Sequence, residues 1–246
     1  MISYLQTPLG AVAYQLEQSY RKTMVIRIEE NGQVRVLAPL FYDQRTVECF
    51  LFKKADWILR KSSQLKDRHR RASQKRFVNG QSFFFLGQKY PLRILKDGVK
   101  IPSVDFDGRC WLMKIPKESK DTQNSERLKE KFVCWYKAQA KELLAGRVFH
   151  YARLMDVEPL EIKVKNQKRL WGSCHYHQKT LCFNWQIIMA PLSVIDYVIV
   201  HELCHLKAPN HSPRFWKLVS DVIPDYKMKH RWLKENAGRM ALPNVE

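Results

Sequence analysis

Residues 192–206, LSVIDYVIVHELCHL, contain the pattern H-E-x-x-H at His201-Glu202-Leu203-Cys204-His205. Apolar residues occur on nearly every side of this stretch, which predicts a buried helix. Residues four apart on a helix differ by about 40° in direction and about 6 Å in rise, so both imidazoles can bind one ion. Glu202 lies about 100° from His201 and can act on a water molecule instead of binding the metal. The pattern predicts a Zn²⁺ site with Glu202 as general base.

A third protein ligand is needed to complete such a site, and His211 is the first candidate. Five residues separate it from His205, the interval found in H-E-x-x-H-x-x-G-x-x-H enzymes. The glycine of that pattern is absent here, so we expect Asn210 to adopt an unusual backbone angle before His211. A downstream carboxylate such as Glu235 is the alternative third ligand.

The chain around this helix predicts an α+β protein. Alternating strands fill residues 2–41, with a hairpin signal at Asn31-Gly32, and Asp43 caps one long helix that runs to about Gln74. Short strands follow up to about residue 116, and no internal repeat is evident. We expect a strand over residues 181–189 to pack over the H-E-x-x-H helix, with an exposed edge that can pair with a peptide.

A polar stretch at residues 117–126 is the best candidate for a linker. It divides the chain into a β-rich N-terminal region, residues 1–118, and a C-terminal domain, residues 119–246, that contains the predicted metal site.

Charge and composition restrict the function classes. The 246 residues carry a formal net charge of +19, which favours anionic partners. Ten basic and two acidic residues fall within residues 53–76, KKADWILRKSSQLKDRHRRASQKR. This run is either a solvated helix face or a surface that binds the phosphates of a nucleotide or nucleic acid.

The sequence contains neither a membrane-spanning stretch nor the pattern of a secretory signal, so we expect a cytoplasmic protein without membrane contact. Six scattered cysteines without a C-x-x-C pair are typical of reduced, intracellular proteins.

Several segments resemble the YgjP-like metal-dependent hydrolases, relatives of the WLM and SprT-like zinc peptidases. The segments are RLWGSC at 169–174, LCFNWQIIMAPLSVIDYVIVHELCHLKAPNHSPRFW at 181–216, Pro224-Asp225-Tyr226, and FVNGQSFFFLGQKYPLRI at 77–94. The resemblance implies a zincin-like C-terminal domain with its active-site helix under a small sheet. It also implies zinc ligands at His201, His205 and His211, with Glu202 as the catalytic base.

The function predicted from these observations is a zinc metallopeptidase that acts on polypeptides. The resemblance also leaves open a metal-dependent nucleoside triphosphate pyrophosphatase of the UTP type, because similar proteins are credited with that reaction. A further alternative is a nucleic-acid-associated protein in which the zinc site is auxiliary and the 53–76 helix is the binding surface.

Overall fold

The structure of the chain is a computed structural model, and it describes residues 2–29, 31–74, 77–117, 125–167, 170–240 and 242. Two compact units are present, Met1–Gln74 and Lys75–Glu246. The predicted linker at 117–126 lies largely outside the described residues. The predicted class, a mixed α+β protein, agrees with the observed helices and mixed sheets.

The first unit is a four-stranded sheet followed by two helices. Its elements are β1 Ser3–Thr7, β2 Gly10–Ser19, β3 Val25–Ile28, β4 Val34–Pro39, α1 Gln44–Phe52 and α2 Ala55–Gln74. The strand order is β1-β2-β4-β3, with β2 and β4 parallel and the outer pairs antiparallel. Inward-facing residues such as Tyr14 and Val36 pack against Leu51 and Ile58 of the helices in a core of their own.

Two helices replace the single helix predicted between Asp43 and Gln74. Asp43 does cap the first of them, because its Oδ1 accepts a hydrogen bond from the backbone N–H of Thr46 at 2.9 Å. A turn at Lys53 and Lys54 then separates α1 from α2. Apolar residues on both sides of the turn keep helical spacing, so the sequence pattern carries no signal of the break.

The second unit begins with another four-stranded sheet. Its strands are β5 Ser82–Phe85, β6 Gln88–Asp97, β7 Ser103–Phe106 and β8 Trp111–Pro116. Their order, β5-β6-β8-β7, and their pairing directions repeat those of the first sheet. Strands β2 and β6 each have 10 residues, and strands β4 and β8 each have 6. The two sheets therefore form an internal repeat that the residue types do not reveal.

The remaining elements form the helical part of the second unit and a small sheet. They are α3 Ser125–Leu154, β9 Glu161–Lys165, β10 Gly172–His175, β11 Thr180–Asn184, α4 Leu192–Cys204, α5 Pro213–Val222 and α6 Tyr226–Asn236. Short 3₁₀ helices occupy Tyr176–Gln178, Trp185–Met189 and Ala237–Arg239. No helix in the described part of the chain is long and apolar enough to cross a membrane.

The prediction of a strand over residues 181–189 is wrong for the second half of this segment. Strand β11 ends at Asn184, whose side-chain Oδ1 accepts a hydrogen bond from the backbone N–H of Gln186 and begins the 3₁₀ helix Trp185–Met189. The small sheet has the order β10-β11-β9, so β11 is its central strand. Both edges of β11 are already paired, and the expected exposed edge for a peptide is therefore not on this strand.

A single core joins the second sheet to the helices. The ring centroid of Trp111 in β8 lies 4.7–5.2 Å from those of three residues of α3, namely Phe132, Trp135 and Tyr136. These contacts unite residues from both sides of the boundary expected near residue 118, whereas the compact units separate after Gln74. The turn between β5 and β6 also belongs to this unit, since the N–H of Leu86 donates to the carbonyl of Ile188 at 2.9 Å.

Candidate metal centre

Helix α4 is the most buried helix near the predicted site, and it carries both histidines of the H-E-x-x-H pattern. Ten of its 13 residues are buried, among them the carboxyl-bearing residues Asp196 and Glu202. His201 lies in its last turn and His205 caps its C-terminus, with the two imidazole centroids 5.1 Å apart. The predicted spacing therefore brings the two rings together on one side of the helix.

His211 reaches the same place from the segment between α4 and α5. The chain turns after α4 through hydrogen bonds from the N–H groups of Leu206 and Lys207 to the carbonyls of Leu203 and Cys204. Asn210 is not among the residues with positive φ, so the unusual angle expected there is not needed. The Oγ of Ser212 then accepts a hydrogen bond from the N–H of Phe215 at the start of α5, which fixes His211 just before the helix.

The three imidazoles offer nitrogens that fit one divalent cation. One ligand atom from each of His201, His205 and His211 lies within 4.8 Å of the others, and the Nε2 atoms of His201 and His211 are 3.1 Å apart. Two nitrogens bound to one tetrahedral zinc at 2.0–2.1 Å would be about 3.4 Å apart. The Nδ1 of His205 lies 3.2 Å from the carbonyl of Ala208, which favours the tautomer with the proton on Nδ1 and a free lone pair on Nε2.

The electrostatics of the cluster favour neutral rings. Burial, followed by the neighbouring imidazoles, lowers the pKa of His201 to about 3, and burial also lowers the pKa of His205. Neutral imidazoles are the form that binds metal ions. The buried Nδ1 of His201 has no hydrogen-bond partner among the described atoms, whereas its Nε2 faces the Nε2 of His211. The donor set therefore fits a zinc-type site.

Glu202 follows His201 in α4, and its side chain lies against the backbone of the small sheet at Gly172. Its side chain is buried, and burial raises the pKa of its carboxyl to about 8. A Cβ on Gly172 of β10 would be 2.6 Å from Oε1 and 2.7 Å from Cγ of Glu202. Only a glycine at the start of β10 leaves room for this carboxylate, a requirement that residue spacing in the sequence cannot express.

Aromatic rings enclose the imidazoles on the α5 side. The Phe215 centroid lies 4.5 Å from His205, 4.9 Å from His201 and 4.7 Å from His211. Trp216 stacks on His211 at 5.6 Å with an interplanar angle of 26°. The sequence favours a core role for both aromatic residues, and Phe215 is fully buried, whereas Trp216 is partly exposed beside the cluster.

Other candidate residues lie outside this group. Glu235, the alternative ligand, is exposed on α6 and is not part of the three-histidine cluster. The basic run at 53–76 lies mostly in α2 of the first unit, with residues 75 and 76 outside the described part. Within α2, Arg60 pairs with Asp56 and Arg70 with Asp67, as is typical of a solvated helix face.

Tyr197 and His230 form a contact near the cluster that no motif in the sequence indicates. Tyr197, one turn before His201 on α4, places its hydroxyl 3.2 Å from the Nδ1 of His230 on α6. Burial raises the pKa of Tyr197 to about 12, so its phenol stays neutral. This contact links α6 to the turn of α4 that precedes His201.

Two solved structures are similar to part of the chain. The metallopeptidase zymogen abylysin of Pyrococcus abyssi matches with a TM-score of 0.36 and 19% identity, covering 41% of this chain and 99% of that chain. The metallopeptidase zymogen jannalysin of Methanocaldococcus jannaschii matches with a TM-score of 0.33 and 21% identity, covering 36% of this chain and 94% of that chain. No curated protein sequence matches the chain.

The family comparison covers most of the chain. The model of the YgjP-like metallopeptidase domain matches residues 22–236, which include most of the first unit and the second unit up to the end of α6. The chain is thus a member of the YgjP-like family and carries its metallopeptidase domain.

Proposed function

We propose that this protein is a zinc-dependent peptidase in which His201, His205 and His211 hold the metal and Glu202 is the general base. The observation that carries the proposal is the convergence of three imidazole nitrogens within 4.8 Å, two of them from a helix that also carries the buried Glu202. Membership of a metallopeptidase family supports a polypeptide as the substrate.

The chemistry follows from the positions of the side chains. A zinc ion held by the three imidazoles would lower the pKa of a water molecule to about 7 and polarise the carbonyl of the scissile bond. The Glu202 carboxylate takes the proton of the attacking water and then gives it to the amine that leaves. Burial of Glu202 raises the pKa of its carboxyl, which favours the protonated form that it has to adopt between these two transfers.

The free edge of β10 is the place where an extended substrate can bind. Strand β10 pairs with β11 on one side and is an edge strand of the small sheet in the described part of the chain. Its first residue, Gly172, lies against Glu202. A peptide added as a further strand beside β10 would form backbone hydrogen bonds there and pass close to the general base.

Metal analysis of purified variants tests the proposed ligands. We expect one zinc per chain, lost or reduced in His201→Ala, His205→Ala and His211→Ala. Glu202→Gln and Glu235→Gln should keep the metal, because neither carboxylate belongs to the imidazole cluster. Full occupancy in His211→Ala, together with loss in Glu235→Gln, would transfer the third-ligand role to Glu235.

An activity assay tests the reaction. Zinc-loaded protein should cleave a denatured polypeptide, and Glu202→Gln should lower kcat/KM by at least about 100-fold while Glu235→Gln leaves it unchanged. The same proteins are assayed with a panel of nucleoside triphosphates. Release of pyrophosphate that depends on Glu202, without proteolysis, would replace the peptidase with the pyrophosphatase.

A further inference from the structure

A cavity beside the imidazole cluster has no role in the proposed reaction. It has a volume of about 290 Å³ and is lined by Trp216, Tyr226, Lys227 and His230. Trp216 joins the cavity to the cluster, since its ring stacks on His211 at 5.6 Å and lies 5.8 Å from His201. The cavity therefore adjoins the cluster, so a molecule bound at the cluster can extend a group into it.

The aromatic residues of the cavity form a fixed wall. Trp216 and Tyr226 stack on each other with centroids 5.2 Å apart and an interplanar angle of 18°. Since Trp216 also stacks on His211, three rings form one continuous stack from α6 to the cluster. Such a wall favours the methylene groups or the flat backbone of a ligand.

The polar residues of the cavity are basic or donate hydrogen bonds. Lys227 is exposed, and no hydrogen bond or ion pair joins it to any residue that the structure describes. Lys229 on the same helix is different, because its Nζ pairs with the carboxylate of Asp225 at 2.8 Å. His230 is held through Nδ1 by the hydroxyl of Tyr197, which leaves its other ring nitrogen available to a ligand.

We propose that this cavity binds a carboxylate of the polypeptide substrate, with the Lys227 ammonium and the His230 ring around the oxygens and the stem of the group against Trp216 and Tyr226. The inference rests on the proposed peptidase function. It assigns a preference for acidic substrates, which agrees with the net charge of +19 of the chain. The carboxylate belongs either to an Asp or Glu side chain or to the free C-terminus of the peptide.

Binding to an inactive protein tests the proposal separately from catalysis. Zinc-loaded Glu202→Gln protein is titrated with four pools of random heptapeptides that carry a central Glu or Gln and a free or amidated C-terminus. We expect the preferred carboxylate to strengthen binding about tenfold over its amide counterpart. A difference between the Glu and Gln pools would identify a side-chain carboxylate as the bound group. A difference between the free and amidated pools would identify the C-terminal carboxylate.

Charge reversal in the cavity supplies the control. Lys227→Glu in the same background should abolish the preference, whereas Lys234→Glu, an exposed position of α6 outside the cavity lining, should keep it. Equal affinity for all four pools, or a preference that survives Lys227→Glu, overturns the proposal. Cleavage of denatured protein by the parent enzyme is measured in parallel, and its absence would contradict the peptidase function alone.

Discussion

Gly172 is the residue where backbone space decides the position of the proposed general base. A methyl group at this position would lie 2.6–2.9 Å from three side-chain atoms of Glu202. Real Cβ atoms do not tolerate such distances, and buried Glu202 has little room to withdraw. The side chain of Glu202 or the backbone of β10 must therefore shift if residue 172 is larger than glycine.

We accordingly expect Gly172→Ala to keep zinc but to lower kcat/KM by about 10- to 100-fold, because a displaced carboxylate no longer reaches the water molecule. Gly146→Ala on α3 is the matched control, since a methyl group there meets nothing within 4 Å. Zinc content and peptide cleavage are measured for both variants. Unchanged cleavage by Gly172→Ala would mean that the position of Glu202 does not depend on this glycine.

Sequence reasoning reaches the individual histidines but not their surroundings. The spacing of His201, His205 and His211 is enough to predict that their rings meet, because a helix and a short turn fix those distances. Gly172 and His230 are far from the motif in sequence. Their contacts with Glu202 and Tyr197 arise only from the packing of β10 and α6 against α4.

An ion pair between α3 and α4 holds the helix that carries the histidines. The guanidinium of Arg147 donates from Nε and Nη2 to the two carboxylate oxygens of Asp196 at 2.7 and 2.6 Å. The Asp196 side chain is 9% exposed and that of Arg147 is 28% exposed. Removal of one partner leaves the other charge partly desolvated without compensation.

We expect Asp196→Ala to reduce the free energy of unfolding by about 2–4 kcal/mol. The control is Asp221→Ala, which breaks an exposed pair with Lys217 on α5 and should cost less than about 1 kcal/mol. Urea unfolding followed by tryptophan fluorescence gives both values. Similar values for the two variants would show that the ion pair between the helices adds no more than a surface pair.

The turn between β5 and β6 fixes the 3₁₀ segment that precedes α4. Gly87 has φ +85°, its N–H donates to the carbonyl of Met189 at 3.1 Å, and an added Cβ would lie 2.8 Å from Pro191 Cγ. Gly80 has a similar φ of +82°, but an added Cβ there meets nothing within 4 Å. Alanine substitution at Gly80 therefore measures the loss of stability from backbone strain alone, and substitution at Gly87 adds the loss from a steric clash.

Both substitutions to alanine should destabilise the protein, Gly80→Ala by about 1–2 kcal/mol from the left-handed backbone alone. Gly87→Ala should cost about 1–3 kcal/mol more, because Pro191 cannot move without shifting the start of α4. Thermal or urea unfolding measures the difference. Equal losses would mean that the segment at Pro191 adapts freely.

At the level of elements, the sequence predicts what local spacing determines and misses what packing determines. Periodicity locates α4 to within a few residues. It does not reveal that β11 stops at Asn184, because the apolar run continues into the 3₁₀ helix that is buried by the β5–β6 turn. The central position of β11 is likewise a long-range property, set by parallel pairing with β9.

Two of the three sheets in the described part of the chain share one topology, and each of these two belongs to a different hydrophobic core. Core residues of the first unit, such as Val36 and Leu51, form one cluster, and those of the second, such as Trp111 and Leu203, form another. The proposed metal ligands all belong to the second unit. Ligand binding stabilises the part of a protein that loses its site on unfolding, so the two cores should respond differently to the metal.

Zinc at about a thousandfold excess over its Kd should raise the free energy of opening of the second unit by about 4 kcal/mol. Hydrogen exchange measures this unit by unit: we expect amides of α4, such as that of Leu203, to exchange faster after treatment with a chelator. Amides of β4, such as that of Val36, should exchange at the same rate in both states and serve as the internal control. An equal acceleration in both cores would mean that the units unfold as one cooperative body, because only then does a site in the second unit stabilise the core of the first.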